Sequence, residues 1–284
     1  MNILIFGGNR FSGKLIVEKL FFEGYNITVL NRSGKSSVDC TVLKCDRNNF
    51  KKLSALIENM QFDCVIDMCL FNKQQAVESY ILFNGKIKKY IFISSVAVYN
   101  ENNSFPIKET DELGSWKIFG EYGLNKKEVE QYFEQQKDFP YVTFRPTYII
   151  GENNHLNREG YYFENILKNK KINIEGDGNA ILSFVFVEDV AEIICKATIN
   201  EIKTRESYNI CNDEHITIIG FIELIAKILN KKVYFKYINE LVSFKNKNCF
   251  FSNKKIKKDF DHEFIKLKPG LKSLSKFFLN KKLT

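Results

Sequence analysis

Short, almost wholly apolar runs alternate with amphipathic segments through the first half of the chain, and that alternation predicts its elements. Residues 3–6 (Ile-Leu-Ile-Phe) lead into a glycine-rich turn from Gly7 to Gly13, then a helix-like segment at 14–20 that stops at Gly24. An apolar strand at 25–30 follows, so the unit reads as βαβ. Further strands are expected at 41–45, 64–68, 89–94 and 141–145, with helices at 50–60, 74–83 and 122–136 between them. The 89–94 run is almost continuously apolar, as a strand buried on both faces requires. Regular alternation of this kind predicts an α/β fold with a doubly wound parallel sheet and ligands at the carboxyl ends of its strands.

After Gly151 the pattern loosens. Helices are expected at 161–169 and 188–197, strands at 181–187 and 207–210, and an amphipathic helix at 217–229 capped by Thr217. The expected organisation is a dinucleotide-binding Rossmann domain over 1–151. A smaller substrate lobe over 152–284 is expected to be partly interleaved with the sheet.

Composition narrows the class. The chain has 284 residues, 44% of them hydrophobic and 27% charged, as in an ordinary soluble domain. No run approaches the roughly 20 apolar residues of a membrane span, so no membrane partner is expected. The N-terminus enters a core strand directly, without the pattern of a secretory leader. Seven cysteines, none in a Cys-x-x-Cys pair, argue against a disulfide framework or a metal site and fit a reducing cytoplasm. The net charge of +8 includes Lys254-Lys255-Ile256-Lys257-Lys258 and Lys281-Lys282 near the C-terminus. We read it as a solvated lysine-rich surface, with nucleic acid not expected as a partner.

The chemistry-bearing residues fall at strand ends. The loop Gly7-Gly8-Asn9-Arg10-Phe11-Ser12-Gly13 has the strand and helix on either side that a pyrophosphate cradle demands. At the end of the second strand, where an acidic residue would meet the adenosine ribose of NAD, stand Asn31 and Arg32. A guanidinium there suits a 2′-phosphate, and Arg10 adds a second positive charge, so NADP is favoured over NAD. Ser94-Ser95 ends the fifth strand, while Tyr122 and Lys126 stand at i and i+4 on the long helix. A nearby ammonium lowers a phenol's pKa, and a serine hydroxyl beside it holds a substrate oxygen for proton transfer. Tyr148, His155 and Arg158 follow the next strand, where the second lobe should meet the sheet, and are candidate substrate contacts.

Together these residues resemble the extended short-chain dehydrogenase/reductase superfamily, the NAD-dependent epimerases/dehydratases. The likeness runs from Gly7–Gly13 through Ser95, Tyr122/Lys126 and Arg145-Pro146 to Phe184-Val185-Phe186-Val187-Glu188-Asp189 and Leu267-Lys268-Pro269-Gly270-Leu271. The resemblance implies a catalytic triad of Ser95, Tyr122 and Lys126. Ser95 would polarise the substrate oxygen, Tyr122 would pass the proton, and Lys126 would depress the phenol and meet the nicotinamide ribose. It also implies cofactor contacts from Asp46 (to the adenine amino group), Asp67, Arg145 and Pro146, and dimerisation through the 122–136 helix.

Ser95-Val96-Ala97 stands where the family's 4,6-dehydratases carry Thr-Asp-Glu, which disfavours dehydration. The expected function is reduction of a carbonyl of a nucleotide-activated sugar, with a sugar-nucleotide epimerase as the runner-up. Arg10 replaces a usual glycine, a form shared with an atypical branch that includes plant plastid RNA-binding proteins. The alternative of another class is therefore a dinucleotide-sensing or RNA-binding protein on this fold.

Overall fold

The structure, a computed structural model, describes residues 1–240 and 242–281, so Lys282 lies outside the described residues. The first half alternates as expected: β1 (Asn2–Phe6), α1 (Phe11–Phe22), β2 (Asn26–Asn31), β3 (Thr41–Lys44), α2 (Phe50–Ile57), β4 (Cys64–Asp67), α3 (Lys73–Phe83) and β5 (Lys89–Ile93). Two short 3₁₀ turns separate β5 from α4 (Gly120–Gln135), which leads to β6 (Tyr141–Pro146). Then come β7 (Tyr148–Ile150), α5 (Arg158–Leu167), β8 (Ile172–Glu175), β9 (Ile181–Phe186), α6 (Val187–Ile199), β10 (Glu206–Ile210), β11 (His215–Thr217), α7 (Ile218–Ile228), β12 (Phe235–Ile238), α8 (Lys254–Phe260) and α9 (Leu267–Lys281).

Seven strands form one sheet in the order β10-β6-β5-β4-β1-β2-β3, every neighbouring pair parallel. Its strands are apolar throughout because both faces are covered. On β1, Ile3 and Ile5 pack with Ile16, Val17 and Leu20 of α1 and with Val190 and Ile194 of α6. Leu4 and Phe6 point the other way, into a core with Leu53 of α2, Phe83 of α3 and Phe133 of α4. The doubly wound parallel sheet is thus present. Its edge strand β10 is supplied from beyond residue 151, pairing Asn209 with Arg145.

A second core lies in the C-terminal half, where β7, β9 and β11 form a three-stranded sheet and β8 pairs with β12. Its interior is aromatic, with Phe184 stacked on Phe221 at 4.4 Å between ring centroids. Thr217 caps α7 by accepting the Gly220 amide at 3.0 Å, as the sequence predicts. The pattern read 145–151 as one strand end. Instead Pro146 closes β6 and Tyr148 opens β7 in a different sheet. No helix among the described residues is long and apolar enough to cross a membrane.

Candidate functional site

The carboxyl ends of β1, β2, β4 and β5 share one edge, and the glycine-rich turn lies on it. Gly7 and Gly8 take φ values of +100° and +83°, conformations open to glycine. A Cβ on Gly13 would stand 2.9 Å from the Gly8 amide nitrogen, so only hydrogen lets α1 begin this close to the turn. That cradle, which any larger residue would fill, fits a dinucleotide pyrophosphate at the start of α1. Asn9 donates to the Ser33 hydroxyl at 2.8 Å, tying the loop to the end of β2.

Asn31 stands where the ribose-binding acid would be, but its side chain serves the turn. It donates to the Lys35 carbonyl at 2.8 Å and accepts from Ser33 and Gly34, each at 2.8 Å. No carboxylate replaces it there, while Arg32 and Arg10 are both exposed. A positively charged strand end of this kind fits a 2′-phosphate. Asp46 is exposed after β3 and caps the Asn48 amide.

Two residues expected as cofactor contacts have their side chains engaged within the protein. Asp67 is fully buried, accepting from Arg47 Nη1 at 2.6 and 2.8 Å, the Tyr90 hydroxyl at 2.6 Å and the Cys69 amide at 2.9 Å. Its carboxylate oxygens are engaged by these three partners. Arg145 is 3% exposed and forks onto Glu130, with a further hydrogen bond from Nη1 to the Tyr99 hydroxyl at 2.8 Å. Burial opposes its charge, yet Glu130 and Tyr99 hold the guanidinium above its ordinary value. Pro146 remains at the carboxyl end of β6, paired with Ile210.

Glu130 was not singled out in the sequence, although it continues the stripe of Tyr122 and Lys126 at i+8 and i+4. Besides holding Arg145, it accepts the Ser94 hydroxyl at 2.5 Å. Ser94 is therefore structural. Ser95, only partly buried, caps the following 3₁₀ turn at the Ala97 amide, 3.2 Å away. The start of α4 is pressed against that turn because Gly123 has no side chain: a Cβ there would meet the Ala97 carbonyl oxygen at 2.3 Å. This close approach sets the Tyr122 phenol beside Ser95.

The electrostatics differ from the expectation. Lys126 is 2% exposed and donates to the Leu70 and Ile93 carbonyls at 2.6 and 2.8 Å. Burial lowers its pKa to about 8, against the pull of Asp67 and Cys69. Tyr122 is raised rather than lowered: removal from water outweighs the Ser95 hydrogen bond and the charge of Arg158. The residue remains 45% open to solvent. Lys126 lies 6.0 Å from the Tyr122 ring centroid with two of its three ammonium protons held by carbonyls, and Arg158 is the cation that lowers the phenol's pKa.

Arg158 begins α5 with its guanidinium 5.3 Å over the Tyr148 ring. Tyr148 is buried against Phe244, forming a wall rather than a free hydroxyl arm. His155 is exposed, and its ring sits edge-on to Phe11 of the glycine-rich loop at 6.3 Å. It thus faces the glycine-rich turn. Glu159, also not foreseen, is fully buried and fastens this loop by accepting from the Gly151 amide and the Asn154 side chain.

The model of the NAD-dependent epimerase/dehydratase family matches residues 73–211. A chloroplast stem-loop binding protein of 41 kDa from Arabidopsis thaliana is 28% identical across 79% of this chain, which spans 62% of that protein's length. A putative UDP-glucose 4-epimerase of Methanocaldococcus jannaschii is 27% identical, covering 77% of this chain and 83% of its own. Among solved structures, the UDP-glucose 4-epimerase of Thermotoga maritima with UDP-glucose superposes with a TM-score of 0.83 at 21% identity, over 100% of both chains. The matched segment holds the strand end bearing Ser95 and the helix bearing Tyr122 and Lys126, and the shared fold extends on both sides of it. Residues 73–211 thus match the NAD-dependent epimerase/dehydratase family, and the chain as a whole shares the fold of the Thermotoga maritima epimerase.

Proposed function

We propose that the protein is an NADP-dependent reductase acting on a carbonyl of a nucleotide-activated sugar. The observation that carries this reading is the Ser95–Tyr122 pair, seated at the carboxyl edge that also holds the glycine-rich turn. When bound, the dinucleotide supplies the hydride. Ser95 Oγ and the Tyr122 phenol both donate to the substrate carbonyl oxygen, which gains the phenolic proton as its carbon gains the hydride. A phenol held above its ordinary value is protonated at neutral pH, which suits donation in a reduction better than abstraction from an alcohol. Lys126 braces the ends of β5 and the loop before α3 beneath the pair. Arg158 offers a cation for an anionic group of the substrate, against the Tyr148 wall.

The preference for NADP rests on Arg32 and Arg10 and on the absence of a carboxylate at the end of β2. Calorimetric titration with NADPH and NADH tests it. Selective NADPH binding, weakened by Arg32→Ala, is expected; equal or stronger NADH binding overturns the preference. The second reading, a sugar-nucleotide epimerase, is favoured by the Methanocaldococcus relative. It predicts NAD that co-purifies and interconversion of sugar epimers without net nicotinamide oxidation. Tyr122→Phe separates both enzymatic readings from a pure binder: turnover is lost while dinucleotide affinity is kept.

A further inference from the structure

A cavity of about 560 Å³ lies away from Ser95, Tyr122 and Lys126, over β6 and the start of β10. The flank of α4, the loop at 108–113 and the start of α8 close it. Its volume falls in the range of small-molecule sites. Thr143 of β6 lines it, is fully buried, and has a hydroxyl oxygen with no hydrogen-bond partner in the structure. A buried hydroxyl left unpaired is costly and rare, so its position on a cavity wall points to a missing polar partner.

The charges lining the cavity sort by what they already bind: Glu109 accepts the Asn209 amide at 3.0 Å, and the Glu134 carboxylate also lines the wall. Arg145 is committed to Glu130, and Lys255 to Glu206 at 2.7 Å. Arg205 donates to the carbonyls of Gln136 and Glu134. Lys108 and Lys254 are exposed at the rim, and neither ammonium has an ion-pair or hydrogen-bond partner among the described residues. Two free ammoniums match the nearly doubly negative charge of a phosphate monoester. The unpaired Thr143 hydroxyl calls for a polar group of the same ligand.

We propose that this cavity binds a small phosphate monoester of a polyol, with Lys108 and Lys254 holding the phosphate and Thr143 bonding a hydroxyl. The site is separate from the proposed active site and does not depend on its assignment. The test is calorimetry of the full chain with glucose 6-phosphate, inorganic phosphate and glucose. Saturable binding of one glucose 6-phosphate per chain is expected, with phosphate and glucose each at least about tenfold weaker.

Lys108→Ala and Lys254→Ala should each weaken binding about tenfold, as loss of a charged hydrogen bond does. Both residues are exposed, so neither variant threatens folding. Thr143→Val should weaken glucose 6-phosphate and leave phosphate unchanged. Arg32→Ala should change nothing, because it belongs to the dinucleotide cradle. Absence of saturable binding overturns the proposal. So does phosphate binding as tightly as the ester, or binding that falls with Arg32→Ala but not with the lysine variants.

Discussion

Removing Glu130 should destabilise the protein more than removing Glu130 and Arg145 together. Glu130 and Arg145 are 5% and 3% exposed, and the carboxylate accepts from the guanidinium at Nε and Nη2 and from Ser94. In Glu130→Ala the guanidinium keeps only the Tyr99 hydroxyl and the Glu109 carbonyl. An uncompensated buried charge of this kind costs about 3–5 kcal/mol. In Glu130→Leu combined with Arg145→Met no charge is stranded. The remaining loss is chiefly the Ser94 hydroxyl's acceptor, about 1–3 kcal/mol, because Tyr99 still donates to Asn209 at 2.7 Å. Urea unfolding followed by circular dichroism reads both values from the midpoint shift at constant slope. The reasoning is refuted if Glu130→Ala costs under about 1 kcal/mol, or if the double variant is no more stable than the single one.

Gly123→Ala would place a methyl 2.3 Å from the Ala97 carbonyl oxygen, so α4 must back away from the Ser95 turn. A misplacement near 1 Å costs about a hundredfold in turnover, with NADPH affinity by calorimetry unchanged; wild-type turnover would refute the close-contact argument. Lys126 titrates near 8 when folded and 10.5 when unfolded, so between those values the unfolded chain binds more protons. Its contribution to stability therefore rises with pH through that window, by on the order of 3 kcal/mol. Urea midpoints measured from pH 7 to 11 should show this rise in the wild type relative to Lys126→Met; parallel profiles would contradict it. Thr217→Ala removes the α7 cap and should cost about 1 kcal/mol in the same assay.

The glycine-rich turn and the doubly wound sheet were legible in the sequence because both rest on neighbours in the chain. Alternating apolar runs, glycine at the turn and Thr217 before α7 act over a few residues, and the i, i+4 spacing of Tyr122 and Lys126 follows from one helix. The short strands β8, β11 and β12 carried no such signal. Each has three or four residues, and its stability comes from a partner strand elsewhere.

Side chains of one type took opposite roles for the same reason. Arg32 stays exposed at a strand end, while Arg145 is buried because β6 runs beneath α4 and meets Glu130. Asp46 is open to solvent and Asp67 is consumed by Arg47, a residue 20 positions away. Local spacing thus determined which elements form and where the hydroxyl, phenol and ammonium of the site stand along them. Which of those groups are desolvated, paired or free was decided only when distant segments closed around them, since burial and charge pairing are properties of the assembled core.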